Sequence, residues 1–136
     1  MINRRTILAA ASVFALLSGS ALAAEKNFYT PGSAERQMDA GELVLLDFWA
    51  SWCTTCAAQV RVLDRLRAEN PEYDRAISFI TVDWDQHAQG DLARQLAIPR
   101  RSTLVAMKGR TEIGRIVAGT READIKALLD AALAAR

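Results

Sequence analysis

Residues 43–49 form an apolar segment of strand length that passes directly into a helical pattern. The segment is interrupted by a single carboxylate, that of Asp47. Apolar residues at successive positions are typical of a strand that is covered on both faces. Beyond residue 53 the apolar positions recur every three to four residues, which predicts an amphipathic helix; they are Cys56, Val60, Leu63 and Leu66. The helix is predicted to end at Asn70, because a residue before proline disfavours the helical conformation.

The rest of the pattern predicts a mixed α/β domain. Strands are predicted over 76–82, 103–107 and 112–117, the last two as a β-hairpin, with a short edge strand at Phe28 and Tyr29. Short helices are predicted over 33–39 and after Asp91, and a last helix opens at Thr120. From residue 43 onward the order is β-α-β-α-β-β-α. This order predicts a three-layer fold with a mixed central β-sheet flanked by helices.

The first 23 residues have the pattern of an export signal. Arg4 and Arg5 precede an apolar core over 7–17, and Ala21-Leu22-Ala23 has the small residues of a cleavage site. The apolar core is too short to span a bilayer. We therefore predict a signal peptide over 1–23, one domain over 24–136, and no stable membrane insertion after the signal is cleaved.

The charge of the chain is close to neutral. It has 17 basic and 16 acidic residues, for a net charge of +1 with histidine neutral. Arg4 and Arg5 lie in the predicted signal, so residues 24–136 have 15 basic residues against 16 acidic ones, a net charge of −1. Such a balance gives no indication of binding to nucleic acid or to a membrane surface.

The two cysteines, Cys53 and Cys56, stand where the helical pattern begins. At a helix N-terminus, free backbone N–H groups and the helix dipole stabilise a thiolate. A purely structural disulfide closing so short a loop would stabilise the fold by only about 2 kcal/mol. A closed zinc site needs four ligands, whereas the chain adds only a lone His87 to its two cysteines. Thiol–disulfide exchange fits the pair best.

The segment Asp47-Phe48-Trp49-Ala50 through Trp52-Cys53-x-x-Cys56 resembles the active site of thioredoxin-like proteins. The resemblance extends over roughly residues 43–133. It implies a thiol–disulfide oxidoreductase in which Cys53 is the exposed nucleophile and Cys56 the buried resolving thiol. It also implies that Asp47 exchanges a proton with Cys56, a role suited to a buried carboxyl with a raised pKa. No cofactor and no bound metal are expected for this activity.

The chain departs from the family at the position opposite the cysteines. The family has a cis-proline there, whereas this chain has Ser102. A cis bond before a non-proline residue costs about 2.5–4 kcal/mol, so we expect a trans Arg101–Ser102 bond with the Ser102 hydroxyl directed toward the cysteines. The expected substrate-binding residues are Trp52, Arg101, Ser102 and Thr103. The departure leaves open a non-redox alternative, in which the two thiolates bind copper or an iron–sulfur cluster.

The residues between the cysteines, Thr54 and Thr55, include no histidine. Without an imidazolium to favour the reduced form, a reductant of protein disulfides is the favoured interpretation. Export would place the protein in the periplasm, an oxidising space in which a cysteine pair becomes bonded unless it is continually reduced. The resemblance to TlpA-like exported thioredoxins therefore implies two partners, a disulfide-containing protein substrate and a membrane thiol electron donor.

Overall fold

The computed structural model describes residues 24–136, and the predicted signal peptide lies outside the described residues. The strands in this part are β1 (Leu43–Trp49), β2 (Ile77–Asp83), β3 (Thr103–Lys108) and β4 (Thr111–Val117). The helices are α1 (Ser33–Asp39), α2 (Thr54–Glu69), α3 (Glu72–Ala76), α4 (Trp84–His87), α5 (Asp91–Gln95) and α6 (Glu122–Ala134). Across residues 24–136, no helix combines the length and the apolar character that a membrane span requires.

The four strands form one sheet in the order β2-β1-β3-β4. Strand β1 pairs in parallel with β2 and antiparallel with β3, and β3 pairs antiparallel with β4. The predicted mixed sheet is therefore confirmed, with the Asp47 strand paired on both sides. Its register places Asp47 opposite Thr81 of β2 and Leu104 of β3.

Strand β1 is buried on both faces, as its continuous apolar pattern predicts. One face contributes Leu43 and Leu45 to a core formed with α2 and α6. The other face contributes Val44, Leu46 and Phe48 to a second core formed with α1 and α5. The active-site segment therefore begins on a strand fixed by both layers of helices. Burying such side chains contributes roughly 1.5–3 kcal/mol each.

Several boundaries differ from the predicted pattern. Helix α3 was not predicted: Pro71 ends α2, but its fixed φ also suits the start of a helix, and α3 follows it directly. Helix α4 was also missed, because one turn is too short to show periodicity. The edge strand at Phe28 is reduced to one bridge with Thr81. The last helix begins at Glu122, two residues after Thr120.

Candidate active site

The cysteine pair begins the long helix that follows the central strand. Cys53 is the N-cap of α2, with an extended backbone (φ −87°, ψ 111°), and Cys56 lies in the first turn. The backbone N–H of Cys56 donates a hydrogen bond of 3.1 Å to the Cys53 Sγ atom. The two sulfurs form a disulfide, with 5.2 Å between the Cα atoms. The predicted placement of Cys53 at the helix N-terminus is confirmed.

Both sulfurs are more enclosed than the resemblance implies. Cys53 is 5% exposed and Cys56 is 0% exposed. The pair packs with Ala50 and against the indoles of Trp49 and Trp84. The expectation of an exposed Cys53 is therefore wrong for the oxidised form. Cys53 is nevertheless the more exposed of the two residues.

Ser102 lies directly against the disulfide. Residues 24–136 contain no cis peptide bond, so the Arg101–Ser102 bond is trans, as predicted. The Ser102 side chain is fully buried, and its Oγ atom lies 3.1 Å from each cysteine Sγ. Its backbone is left-handed, with φ +60°. In the oxidised form the Ser102 side chain thus contacts the two sulfurs, and its predicted contact with substrate stays a prediction.

The backbone of Ser102 is held in place by three other segments. Its N–H donates to the Phe48 carbonyl at 2.7 Å, and its carbonyl accepts from the Ala118 N–H at 2.8 Å. The same carbonyl accepts a hydrogen bond of 3.0 Å from the Gln59 side chain. The position of the hydroxyl is therefore fixed by β1, by α2 and by the loop after β4.

Gln59 is the site residue that the sequence analysis missed. It is a fully buried amide in α2, one turn after Cys56, and its Nε2 atom also donates to the Gly119 carbonyl at 2.9 Å. A buried polar side chain with two backbone acceptors joins segments that are distant along the chain. The signal available in the sequence was a glutamine on the apolar stripe of α2.

Trp52 and Arg101 lie together at the rim of the site. The Trp52 indole is 56% exposed, and its Nε1–H donates to the Asp85 carboxylate at 2.9 Å. The Arg101 guanidinium carbon lies 4.3 Å from the centre of the Trp52 ring, in a cation–π arrangement. Trp52, predicted to bind substrate, thus presents an exposed aromatic surface that is fixed at both ends.

Neither Thr103 nor Arg100 has a contact with Trp52 like that of Arg101. Thr103 is fully buried, and its hydroxyl donates to the Arg100 carbonyl at 2.8 Å. The side chain of Thr103 is therefore covered in the free protein, and its predicted contact with substrate stays a prediction. The Arg100 side chain is exposed and donates to the Arg101 carbonyl.

Asp47 is a buried carboxyl on the α2 side of β1. It is 6% exposed, and its Oδ1 atom has no hydrogen-bond partner within residues 24–136. Burial raises the pKa of Asp47 to about 7, while the charge of Lys26 lowers it and that of Asp64 raises it. The predicted burial and raised pKa are confirmed.

A cavity of about 160 Å³ connects Asp47 with the charged groups around it. The charged residues of its wall are Glu25, Lys26, Asp64, Arg67 and Asp74. Val60 of α2 also lines this cavity, one turn after Cys56. Asp47 therefore shares a cavity with side chains of both charges, on the side of the sheet that α2 covers.

The described residues give no support to the metal alternative. Within the described part of the chain, no three or more His, Cys, Asp or Glu side chains are grouped so that they could hold a metal ion. His87 packs edge-on against Tyr29, with 4.9 Å between the ring centres. A single chain thus contributes two thiolates to any such site.

The geometry defines the class of protein. A redox-active Cys-x-x-Cys disulfide begins the helix that follows the central strand of a mixed four-stranded sheet, which is the arrangement of a thiol–disulfide oxidoreductase with a thioredoxin fold. The family model described as Thioredoxin matches residues 27–131. The chain belongs to the thioredoxin family.

Individual relatives agree with this assignment. The chain is 31% identical to a thioredoxin of Echinococcus granulosus over 97 residues, which are 71% of this chain and 84% of that protein. It is 32% identical to a thioredoxin of Chlorobaculum thiosulfatiphilum over 95 residues, which are 70% and 79% of the two chains. The solved structure of Trxlp from Edwardsiella tarda EIB202 superposes with a TM-score of 0.66 at 26% identity, covering 77% of this chain and 98% of that one.

Proposed function

We propose that this thioredoxin-family protein is exported and reduces disulfides in protein substrates. The observation that carries the proposal is the Cys53–Cys56 disulfide at the N-terminus of α2, with Cys53 the more exposed residue of the pair. The leader pattern over residues 1–23 supports export to the periplasm. The absence of histidine between the cysteines supports the reducing direction.

In this mechanism the reduced Cys53 thiolate attacks one sulfur of a substrate disulfide. A bond forms between Cys53 and that sulfur, the substrate disulfide breaks, and the other substrate sulfur leaves as a thiolate and takes a proton. Asp47, whose pKa is raised by burial, accepts the proton of the Cys56 thiol, as the resemblance implies. The Cys56 thiolate then attacks Cys53, which forms the Cys53–Cys56 disulfide and releases the second substrate thiolate. Two electrons pass to the substrate, and the protein is oxidised.

A second turnover requires the disulfide to be reduced again. In an exported protein the electrons have to cross a membrane, so we assign this step to an integral-membrane dithiol donor. The donor transfers two electrons by the reverse exchange and becomes a disulfide itself. The TlpA-like character of the protein rests on this requirement and on the leader.

Trapping of mixed disulfides tests the proposal. Cys56→Ser leaves Cys53 able to attack but removes the resolving thiol, so it should accumulate covalent complexes with periplasmic proteins. Cys53→Ser is the matched control and should accumulate none. Equal trapping by both variants would contradict the assigned order of attack.

The reduction potential tests the direction. Equilibration of the Cys53/Cys56 couple with glutathione should give a potential near or below that of thioredoxin, about −270 mV. A potential near −120 mV, typical of a strong oxidant, would overturn the reducing role. Detection of the full-length precursor in the cytoplasm without a shorter periplasmic form would overturn export.

A further inference from the structure

The hydroxyl of Ser102 is positioned to serve both active-site sulfurs. Its Oγ atom is 3.1 Å from the Cys53 Sγ atom and 3.1 Å from the Cys56 Sγ atom. A serine hydroxyl has one proton to donate, to one acceptor at a time. Because the distances are equal, rotation of the O–H bond redirects the proton from one sulfur to the other without moving a heavy atom.

The backbone of Ser102 is constrained to hold this position. A left-handed φ of +60° is disfavoured for a residue with a Cβ atom, and such strain clusters at functional sites. Hydrogen bonds to Phe48, Ala118 and Gln59 fix the residue in that conformation. The side chain is fully buried, so bulk water does not compete for the hydroxyl.

We propose that Ser102 is a catalytic residue whose hydroxyl donates a hydrogen bond to whichever active-site sulfur carries negative charge. The inference rests on the thiol–disulfide exchange described above. When Cys53 is the thiolate that attacks the substrate disulfide, the hydroxyl donates to the Cys53 sulfur. When the mixed disulfide has formed and Cys56 is the attacking thiolate, the hydroxyl turns to the Cys56 sulfur. The hydroxyl keeps its proton throughout, and the electrons move only between sulfurs.

The hydrogen bond from Ser102 stabilises a thiolate more strongly than it stabilises the neutral disulfide. Neutral sulfur is a weak acceptor, whereas a hydrogen bond to an ionised group is roughly twice as strong as a neutral one. The reduced thiolate form is therefore favoured selectively. On typical strengths of hydrogen bonds to charged groups, loss of the hydroxyl should lower the thiolate population at a given pH by about tenfold or more.

The test is a pH titration of the Cys53 thiolate in the reduced protein. The ultraviolet absorbance of the thiolate and its rate of alkylation are the two readouts. Ser102→Ala removes the hydroxyl but keeps the strained Cβ, whereas Ser102→Gly removes both. The two variants should have opposite effects on stability, because glycine accepts a positive φ. Both should nevertheless show the same fall in thiolate population, since both lack the hydroxyl.

Ser51→Ala is the matched control. Ser51 is an exposed serine in the loop between β1 and α2, two residues before Cys53. Its side chain has no hydrogen bond to another residue of 24–136. This variant should titrate like the parent protein. A parental titration in both Ser102 variants would overturn the inference, as would a fall in the alanine variant alone, which would point to strain. Failure of the parent protein itself to exchange with glutathione would instead contradict the proposed function.

Discussion

The Gln59 side chain donates a hydrogen bond of 3.0 Å from its Nε2 atom to the backbone carbonyl of Ser102. The same nitrogen donates to the Gly119 carbonyl at 2.9 Å. One amide in the active-site helix therefore holds two loops, and one of these presents the hydroxyl that faces the cysteines. Gln59 therefore helps to position that hydroxyl through the backbone, without a hydrogen bond of its own to the sulfurs.

Gln59→Leu should destabilise the oxidised protein by about 1–3 kcal/mol, because it removes the two hydrogen bonds from Gln59 to the carbonyls of Ser102 and Gly119. Gln59→Glu should destabilise it more, since a carboxylate would face two carbonyl oxygens. The free energy of unfolding in urea measures both effects. Gln95→Leu is the control, because Gln95 is an exposed glutamine in a helix. If the Gln59 and Gln95 variants were equally stable, the joining role of Gln59 would be disproved.

Asp47→Asn should stabilise the protein at neutral pH. The folded pKa of Asp47, about 7, is far above the ordinary value of an aspartate, 3.8. Between these values the folded state binds the proton more strongly than the unfolded state, so this group lowers stability as pH rises from about 4 to 7. The full difference between the two pKa values corresponds to about 4 kcal/mol of stability. Asp47→Asn should recover only part of this free energy, because burying an amide also has a cost.

Urea unfolding at about pH 5 and about pH 8 measures the effect of Asp47→Asn, with the window set by the pKa values. The variant should gain stability relative to the parent protein as pH rises across this range. A constant difference between the two proteins would show that Asp47 does not change its protonation there.

Lys26→Gln should move the pH dependence of disulfide exchange to higher pH, because the Lys26 charge lowers the pKa of Asp47. The Lys26 Nζ atom lies 5.4 Å from the centre of the Trp49 ring, at the cavity that it shares with Asp47. The other charged groups facing Asp47 there are Glu25, Asp64, Arg67 and Asp74. The expected displacement is up to roughly one pH unit.

The measurement is the rate of disulfide reduction as a function of pH. Lys108→Gln removes a lysine of β3 that pairs across from Leu43, at the far end of β1 from Asp47, and should leave the profile unchanged. In Asp47→Asn the change in rate that the titration of this carboxyl causes in the pH profile should disappear. If the same pH dependence of the rate persisted in Asp47→Asn, a group other than this carboxyl would be responsible for it.

Trp52→Ala should weaken the use of protein substrates while leaving the fold largely intact. Trp52 is 56% exposed, so its removal creates no cavity, whereas an anchored aromatic at an interface typically contributes about 2 kcal/mol or more. The KM for a protein disulfide should rise about tenfold or more. Reduction of a small disulfide, which does not need the rim, should change little.

Trp52→Phe separates the ring from its hydrogen bond. It keeps an aromatic surface beneath Arg101 but loses the N–H that donates to Asp85. We expect a KM between those of the parent protein and Trp52→Ala. A parental KM for protein substrates in Trp52→Ala would remove this rim from substrate binding.

The local sequence determined the core of the active site. A covered strand, a turn and a helix follow one another within residues 43–69, so their periodicity is visible without any distant contact. The cysteines stand where the helical pattern begins, which predicts their place at the helix N-terminus. The high local cost of a cis bond before a non-proline residue was enough to predict the trans Arg101–Ser102 bond.

Only the tertiary structure decided what surrounds that core. Gln59 reaches acceptors 43 and 60 positions away, and Trp52 reaches Asp85 across 33 positions. Lys26 meets Asp47 because the segment before Tyr29 bridges to β2. Periodicity identifies which face of an element is buried but not which distant side chain meets it, because that depends on how the helices and loops pack on the sheet. For the same reason the burial of Cys53 beneath its neighbours became apparent only in the folded chain.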